Sequence, residues 1–113
     1  MKYMLLITRG AWQDEASEQE VGEIYGQIGQ WFAKYTGDGT IIEAHKLQGP
    51  ETATTVVLEG GGSTLVDRPL LEAKEAIGGY AVVDAEDLDA ALALARSFPM
   101  PDGKLEVRPV DEM

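Results

Sequence analysis

The sequence predicts an α+β fold, a ferredoxin-like β-α-β-β-β-α-β order with an antiparallel sheet, and three observations carry that expectation. The runs Tyr3-Met4-Leu5-Leu6-Ile7 and Tyr80-Ala81-Val82-Val83 show no polar alternation, so each reads as a strand apolar on both faces. A helical stripe follows the first run, and an alanine-rich helix follows the second. The length, 113 residues, suits one domain spanning residues 1–113.

Each element has a local cause. The first strand covers about residues 2 to 8. Ser17-Glu18-Gln19-Glu20 then forms a capping box ahead of a helix whose stripe is Val21, Tyr25, Ile28, Phe32 and Tyr35, widened by Ile24 and Trp31. That helix stops at Gly37-Asp38-Gly39, where glycine supplies a left-handed cap. Gly22, Gly26, Gly29 and Ala33 mark a second stripe on it. Each interior glycine costs about 1 kcal/mol relative to alanine, so the stripe predicts either close approach by the Ala90–Ala95 helix or a ligand against bare backbone. Ile41 to Leu47 and Thr52 to Leu58 read as strands, with the breaker Gly49-Pro50 between them. Glu59-Gly60-Gly61-Gly62-Ser63 is a turn, and Thr64 to Val66 is an additional short strand. No lysine and no helix start follow the glycine run, so it is not a phosphate cradle. After the Gly79–Val83 strand, Asp84-Ala85-Glu86-Asp87 opens the second helix at its positive end, and Pro99 and Pro101 close it. Lys104 to Val110 is the last strand. Two helices cover one face of such a sheet. The apolar uncovered face therefore predicts a homodimer, packed sheet against sheet.

Composition narrows the function classes. Nine Lys+Arg against 20 Asp+Glu leave a net charge of −11, which disfavours nucleic acid and anionic membrane surfaces as partners. The absence of cysteine removes disulfides, thiolate nucleophiles and thiolate-held metals, and suits a reducing cytoplasm. No apolar run is long enough for a membrane span. No dinucleotide fingerprint follows any strand, and the lone His45 is badly placed as an axial ligand, so no cofactor is expected.

Several segments together resemble a known family. Met1-Lys2-Tyr3-Met4-Leu5-Leu6-Ile7, Ala53-Thr54-Thr55-Val56, Gly78-Gly79-Tyr80 and Glu106-Val107-Arg108-Pro109-Val110 are similar to the YCII-related proteins of the DGPF type, small bacterial members of the dimeric α/β-barrel superfamily. The namesake motif Asp-Gly-Pro-Phe-Ala-Glu-Thr-Lys-Glu stands here as Asp67-Arg68-Pro69-Leu70-Leu71-Glu72-Ala73-Lys74-Glu75, with Asp67, Pro69, Glu72, Lys74 and Glu75 in agreement. Arg68 puts a cation where relatives have glycine, and Leu70 shrinks an apolar wall. The YCII branch uses a His and an Asp as a pair, but Gly22 and Glu23 stand in the stretch where that histidine belongs, so the pair is not carried over. The resemblance implies a dimer of ferredoxin-like units with a cleft for a small organic molecule between sheet and helices. It leaves the activity open, because the superfamily spans isomerases, lyases and monooxygenases.

The candidate site follows from these positions. Asp67 at a strand end is the candidate general base, with Lys74 or Arg68 as the counter-charge for an anionic substrate. Its alternative role is an Asx-turn before Pro69. Glu72, Tyr80 after its glycine pair, and Trp12 in the loop of residues 9 to 17 complete the candidate substrate-binding set, Trp12 either as part of a lid or as the pin that fixes the loop. His45, in register with Ile41, Glu43 and Leu47, begins a metal pattern that lacks further ligands, so no metal is assigned. Two functions follow: cofactor-free acid/base isomerisation or elimination on a small, aromatic organic acid, or a non-catalytic dimeric ligand-binding or regulatory module.

Overall fold

The computed structural model describes residues 1–68 and 76–112. Four strands form the main sheet in the order β2-β5-β1-β6: β1 (Lys2–Thr8), β2 (Ile41–Lys46), β5 (Ile77–Asp84) and β6 (Leu105–Pro109). All three pairings are antiparallel, with Leu5 opposite both Ala81 of β5 and Val107 of β6. This is the ferredoxin-like arrangement, with β1 central because it is apolar on both faces.

Between the long helices the described residues hold the four strands that the individual readings imply, one more than the order β-α-β-β-β-α-β counts, and two of them leave the main sheet. Among the described residues β3 (Thr55–Glu59) and β4 (Gly62–Val66) pair only with each other, as a hairpin turned by Gly60 and Gly61 at φ of 58° and 80°. Val56, Leu58 and Leu65 share one face of this hairpin, and Leu58 and Leu65 are 79% and 70% exposed.

The helices cover one face of the sheet. A short helix α1 (Trp12–Glu15) precedes α2 (Glu18–Gly37), whose capping box forms as the sequence implies: Ser17 Oγ accepts from the Glu20 amide at 3.2 Å. α3 (Leu88–Arg96) is capped by Asp87, which accepts from the Ala90 amide at 2.9 Å. Tyr3, Leu5 and Ile7 of β1, with Ile41, Ala81 and Val83, meet Trp31, Ala91, Leu94 and Phe98 in one core. Trp31 is its hub, 5.0 Å from Phe98 and 5.1 Å from Phe32 between ring centroids, with its indole N–H donated to Ser97 Oγ at 2.9 Å.

The glycine stripe does not meet the alanine-rich helix. Among the described residues nothing lies within 4 Å of where a Cβ would stand on Gly22, Gly26 or Gly29. The helix is held by its other stripe, on which Ile28, Trp31, Phe32 and Tyr35 pack into the core. The opposite face of the sheet carries Met4, Leu6, Tyr80 and Val82, all half-buried, with Glu106 and Arg108 of β6 beside them. None of the helices described is long and apolar enough to cross a membrane.

Because the stripe is open, Gly22→Ala and Gly26→Ala are each expected to stabilise the protein by up to about 1 kcal/mol in urea unfolding. A loss of stability instead would mean that another surface closes on these glycines. Leu5→Ala, at a fully buried central position, is expected to cost about 2–5 kcal/mol by the same measurement.

Candidate functional site

The cleft begins with a pair of glycines in β5. Ile7 faces Gly79 and Thr8 faces Ile77, so Gly78 is the extra residue of a bulge against β1. On the other side β2 closes in on Gly79: a Cβ there would lie 3.0 Å from the His45 carbonyl oxygen and 3.5 Å from Lys46 Cα. Only glycine leaves room for that approach. With no side chains rising from this stretch of β5, a cavity of about 270 Å3 remains between the sheet and α2.

Its walls come from four directions. Tyr25, Ile28, Gly29 and Phe32 of α2 form one side, Phe98 and Met100 after α3 another. Ile7 and Thr8 of β1 and His45 and Lys46 of β2 flank the glycine floor, while Trp12 and Gln13 of α1 close the end. α1 is fixed in place. The Trp12 amide donates to Asp102 Oδ1 at 3.2 Å, and Gln13 Nε2 donates to Tyr25 OH at 3.0 Å. Gly10 is required in this corner, because any side chain there would collide with Asp102 and Trp12. Trp12 itself is 4% exposed and meets Tyr25 edge-on at 5.1 Å. Its Nε1 is buried with no hydrogen-bond partner among the described residues, a vacancy that costs about 1–3 kcal/mol. Over the other face of the arrangement, Lys46 Nζ sits 4.2 Å from the Tyr25 ring centroid.

The expected site residues separate. Trp12 lines the cleft and also pins its loop. Asp67 and Arg68 lie exposed just beyond β4, outside the lining of this cleft, and the described contacts there are local: the Arg68 amide donates to the Val66 carbonyl at 2.8 Å and Thr55 Oγ1 to the Arg68 carbonyl at 2.7 Å. Tyr80 does not join the lining either; its hydroxyl donates to Glu43 Oε1 at 2.8 Å. Glu72 and Lys74 lie outside the described residues.

The uncovered face of the sheet therefore gathers a second polar group. Glu43 Oε1 is also 3.5 Å from His45 Nε2, and the His45 and Tyr80 rings are 5.7 Å apart. The cause is a bulge between Ile41 and Glu43, which turns Ile41 into the core and leaves Glu43 and His45 opposite Val82 and Tyr80. A regular strand would have kept Ile41, Glu43 and His45 together, as the sequence pattern implies. The Glu43 hydrogen bond, first, and then desolvation and the carboxylate charge hold the Tyr80 phenol above the usual tyrosine range. No group of three or more His, Asp or Glu side chains that could hold a metal occurs among the described residues.

Sequence reasoning missed Tyr25, Gln13, Lys46 and the Phe98–Met100 wall. Tyr25 and Phe32 were visible only as members of the core stripe. The Gly78-Gly79 pair was the usable signal, since it marked room near backbone, and the cleft lies there.

The whole chain, residues 1–113, matches the family model of the YCII-related domain, and the chain belongs to that family. An uncharacterized protein of Rhizobium meliloti (strain 1021) is 31% identical over 104 residues, covering 88% of this chain and 80% of the relative. Among solved structures, the 5-chloro-2-hydroxyhydroquinone dehydrochlorinase TftG from Burkholderia phenoliruptrix AC1100, in complex with 2,5-dihydroxybenzoquinone, superposes with a TM-score of 0.53 at 13% identity. That match covers 98% of this chain and 94% of the dehydrochlorinase, and it shows a shared fold.

Gly79→Ala is expected to lose about 1–3 kcal/mol in urea unfolding, because the new methyl meets the β2 backbone. Gly78→Ala, which meets only ordinary contacts starting with Arg9 Cγ at 3.5 Å, is expected to change stability far less. For Tyr80, the raised phenol pKa means that its hydrogen bond to Glu43 stabilises the fold below the usual tyrosine range and is lost as pH rises through the raised value. Glu43→Gln is expected to bring the phenol back toward its ordinary value in an ultraviolet titration.

Proposed function

We propose that this YCII-family protein is a homodimer that binds a small aromatic organic acid in the cleft between sheet and α2. The observation that carries the reading is the cleft itself: about 270 Å3, walled by Trp12, Tyr25, Phe32 and Phe98, with Lys46 at its edge and no carboxylate among the described lining residues. A volume just under the usual range for ligand pockets suits a single-ring molecule. The dehydrochlorinase of the same fold, solved with a single-ring quinone, supports the reading. For the dimer, the support is the uncovered face with Met4, Leu6 and Val82, an apolar surface that a second copy would bury.

A second reading, acid/base elimination or isomerisation without a cofactor, is favoured by the likeness to that dehydrochlorinase. It assigns the proton transfer to Asp67, with Lys74 or Arg68 steadying the developing oxyanion and Glu72 in the substrate-binding set. Asp67→Asn separates the two readings, since it is expected to leave ligand binding unchanged. Loss of turnover with intact binding would establish the catalytic role.

Binding is tested by titrating the protein with 2,5-dihydroxybenzoquinone and with benzoate, read by native mass spectrometry and by tryptophan fluorescence. A one-to-one adduct per subunit and a saturable fluorescence change that disappears in Trp12→Phe are expected. A fluorescence change that survives in Trp12→Phe, or no adduct at millimolar probe, would overturn the assignment. Leu6→Glu is expected to convert a dimer to a folded monomer by light scattering.

A further inference from the structure

We propose that Lys46 is the anion-recognition residue of the cleft, selecting ligands whose aromatic ring carries a carboxylate or phenolate. The inference rests on the reading that the cleft binds a small organic molecule, and it deepens that reading by assigning its charge preference to one side chain.

Lys46 is placed by two backbone features. The bulge between Ile41 and Glu43 sets the alternation of β2, and Lys46 comes to stand opposite Gly79, the residue whose missing side chain makes the floor. Its ammonium ends over Tyr25, 4.2 Å from the ring centroid, so β2 and α2, which also meet in the core, touch at the cleft edge through this pair. Tyr25 is in turn held by Gln13 of α1 at 3.0 Å. Three elements thus converge at one edge of the cavity, all of them through side chains that line it.

The electrostatic setting is unusual for this chain. Acidic residues outnumber basic ones by 20 to 9, yet Lys46 takes part in no ion pair among the described residues. Its strand neighbour Glu43 is turned to the other face, where Tyr80 and His45 occupy its Oε1. The remaining wall is mostly aromatic and aliphatic, its polar members Thr8, Gln13 and His45 carry no negative charge, and Trp12 Nε1 is a buried donor without a partner among the described residues. A cation resting on a ring face at the edge of an apolar cavity, with no carboxylate among the described lining residues, is poised to exchange that contact for a charge-assisted hydrogen bond, which is the stronger interaction. The apolar wall of Tyr25, Phe32 and Phe98 suits a flat ring, whose oxyanion would supply the negative charge that the described lining residues lack.

The test compares benzoate with its neutral counterpart benzamide, on the wild-type protein and on Lys46→Met and Lys46→Arg, by isothermal calorimetry. Methionine keeps an unbranched apolar side chain and removes the charge. Wild-type protein is expected to bind benzoate more tightly than benzamide by about tenfold or more, the scale of a charge-assisted hydrogen bond. Lys46→Met is expected to erase that preference by weakening benzoate alone, with benzamide within about twofold, and Lys46→Arg is expected to retain a preference for the anion. An unchanged benzoate preference in Lys46→Met, or equal loss of both probes, would overturn the role of Lys46 while leaving the cleft reading intact. Failure of both probes to bind wild-type protein would overturn the cleft reading, and this inference with it.

Discussion

The architecture of the site depends on the absence of side chains at Gly78 and Gly79. In a regular β5 these positions would carry one side chain toward α2 and one toward the uncovered face. Instead Gly78 bulges against β1, and Gly79 lets the β2 backbone come within van der Waals contact. The strand pairing survives on both sides, and the volume that a side chain would have filled becomes the cleft floor. Lys46 on β2 is placed beside that floor by the close pairing of β2 with Gly79.

A second consequence is that the molecule separates its packed core from its cleft. Stability is concentrated in β1 and the Trp31 cluster, where Leu5, Ala81 and Val83 are shut from solvent and the Trp31 indole has its partner in Ser97. The other tryptophan is the reverse case. Trp12 is equally buried, sits at the end of the cleft, and has an indole N–H that the described residues leave unpaired. Two residues of one type, with similar exposure, differ in whether their polar atom is satisfied, and the unsatisfied one lies in the wall of the cavity. Such a deficit persists where the surrounding contacts hold it, and here Asp102 and Tyr25 do so.

Much of the fold was legible because hydrophobic periodicity and capping are local. The limits of β1, the Ser17 capping box and the Asp87 cap could all be read from neighbouring residues. The two strands read as apolar on both faces, β1 and β5, are the central pair of the main sheet. What escaped were events that insert or remove one residue from a pattern. The bulge after Ile41 reversed which side of β2 carries Glu43 and His45, and the hairpin of β3 and β4 left the sheet that its β-branched residues had suggested. The glycine stripe of α2 signalled proximity to something, but among the described residues no helix closes on it. For the site, Trp12 was legible as the sole tryptophan in a loop. Tyr25 and Lys46 were not, since an aromatic in a core stripe and a lysine on an edge strand carry no distinguishing mark until the backbone brings them together. Asp67 and Arg68, prominent in the motif, stand exposed beyond β4.

The proposed entry of ligands between β5 and α2 can be mapped residue by residue from amide chemical shifts in the nuclear magnetic resonance spectrum as benzoate is added. The largest shifts are expected on Gly29, Lys46, Gly78 and Gly79, with the Trp12 indole signal moving alongside them. Shifts centred on Asp67 and Arg68, with the glycine floor unaffected, would contradict it.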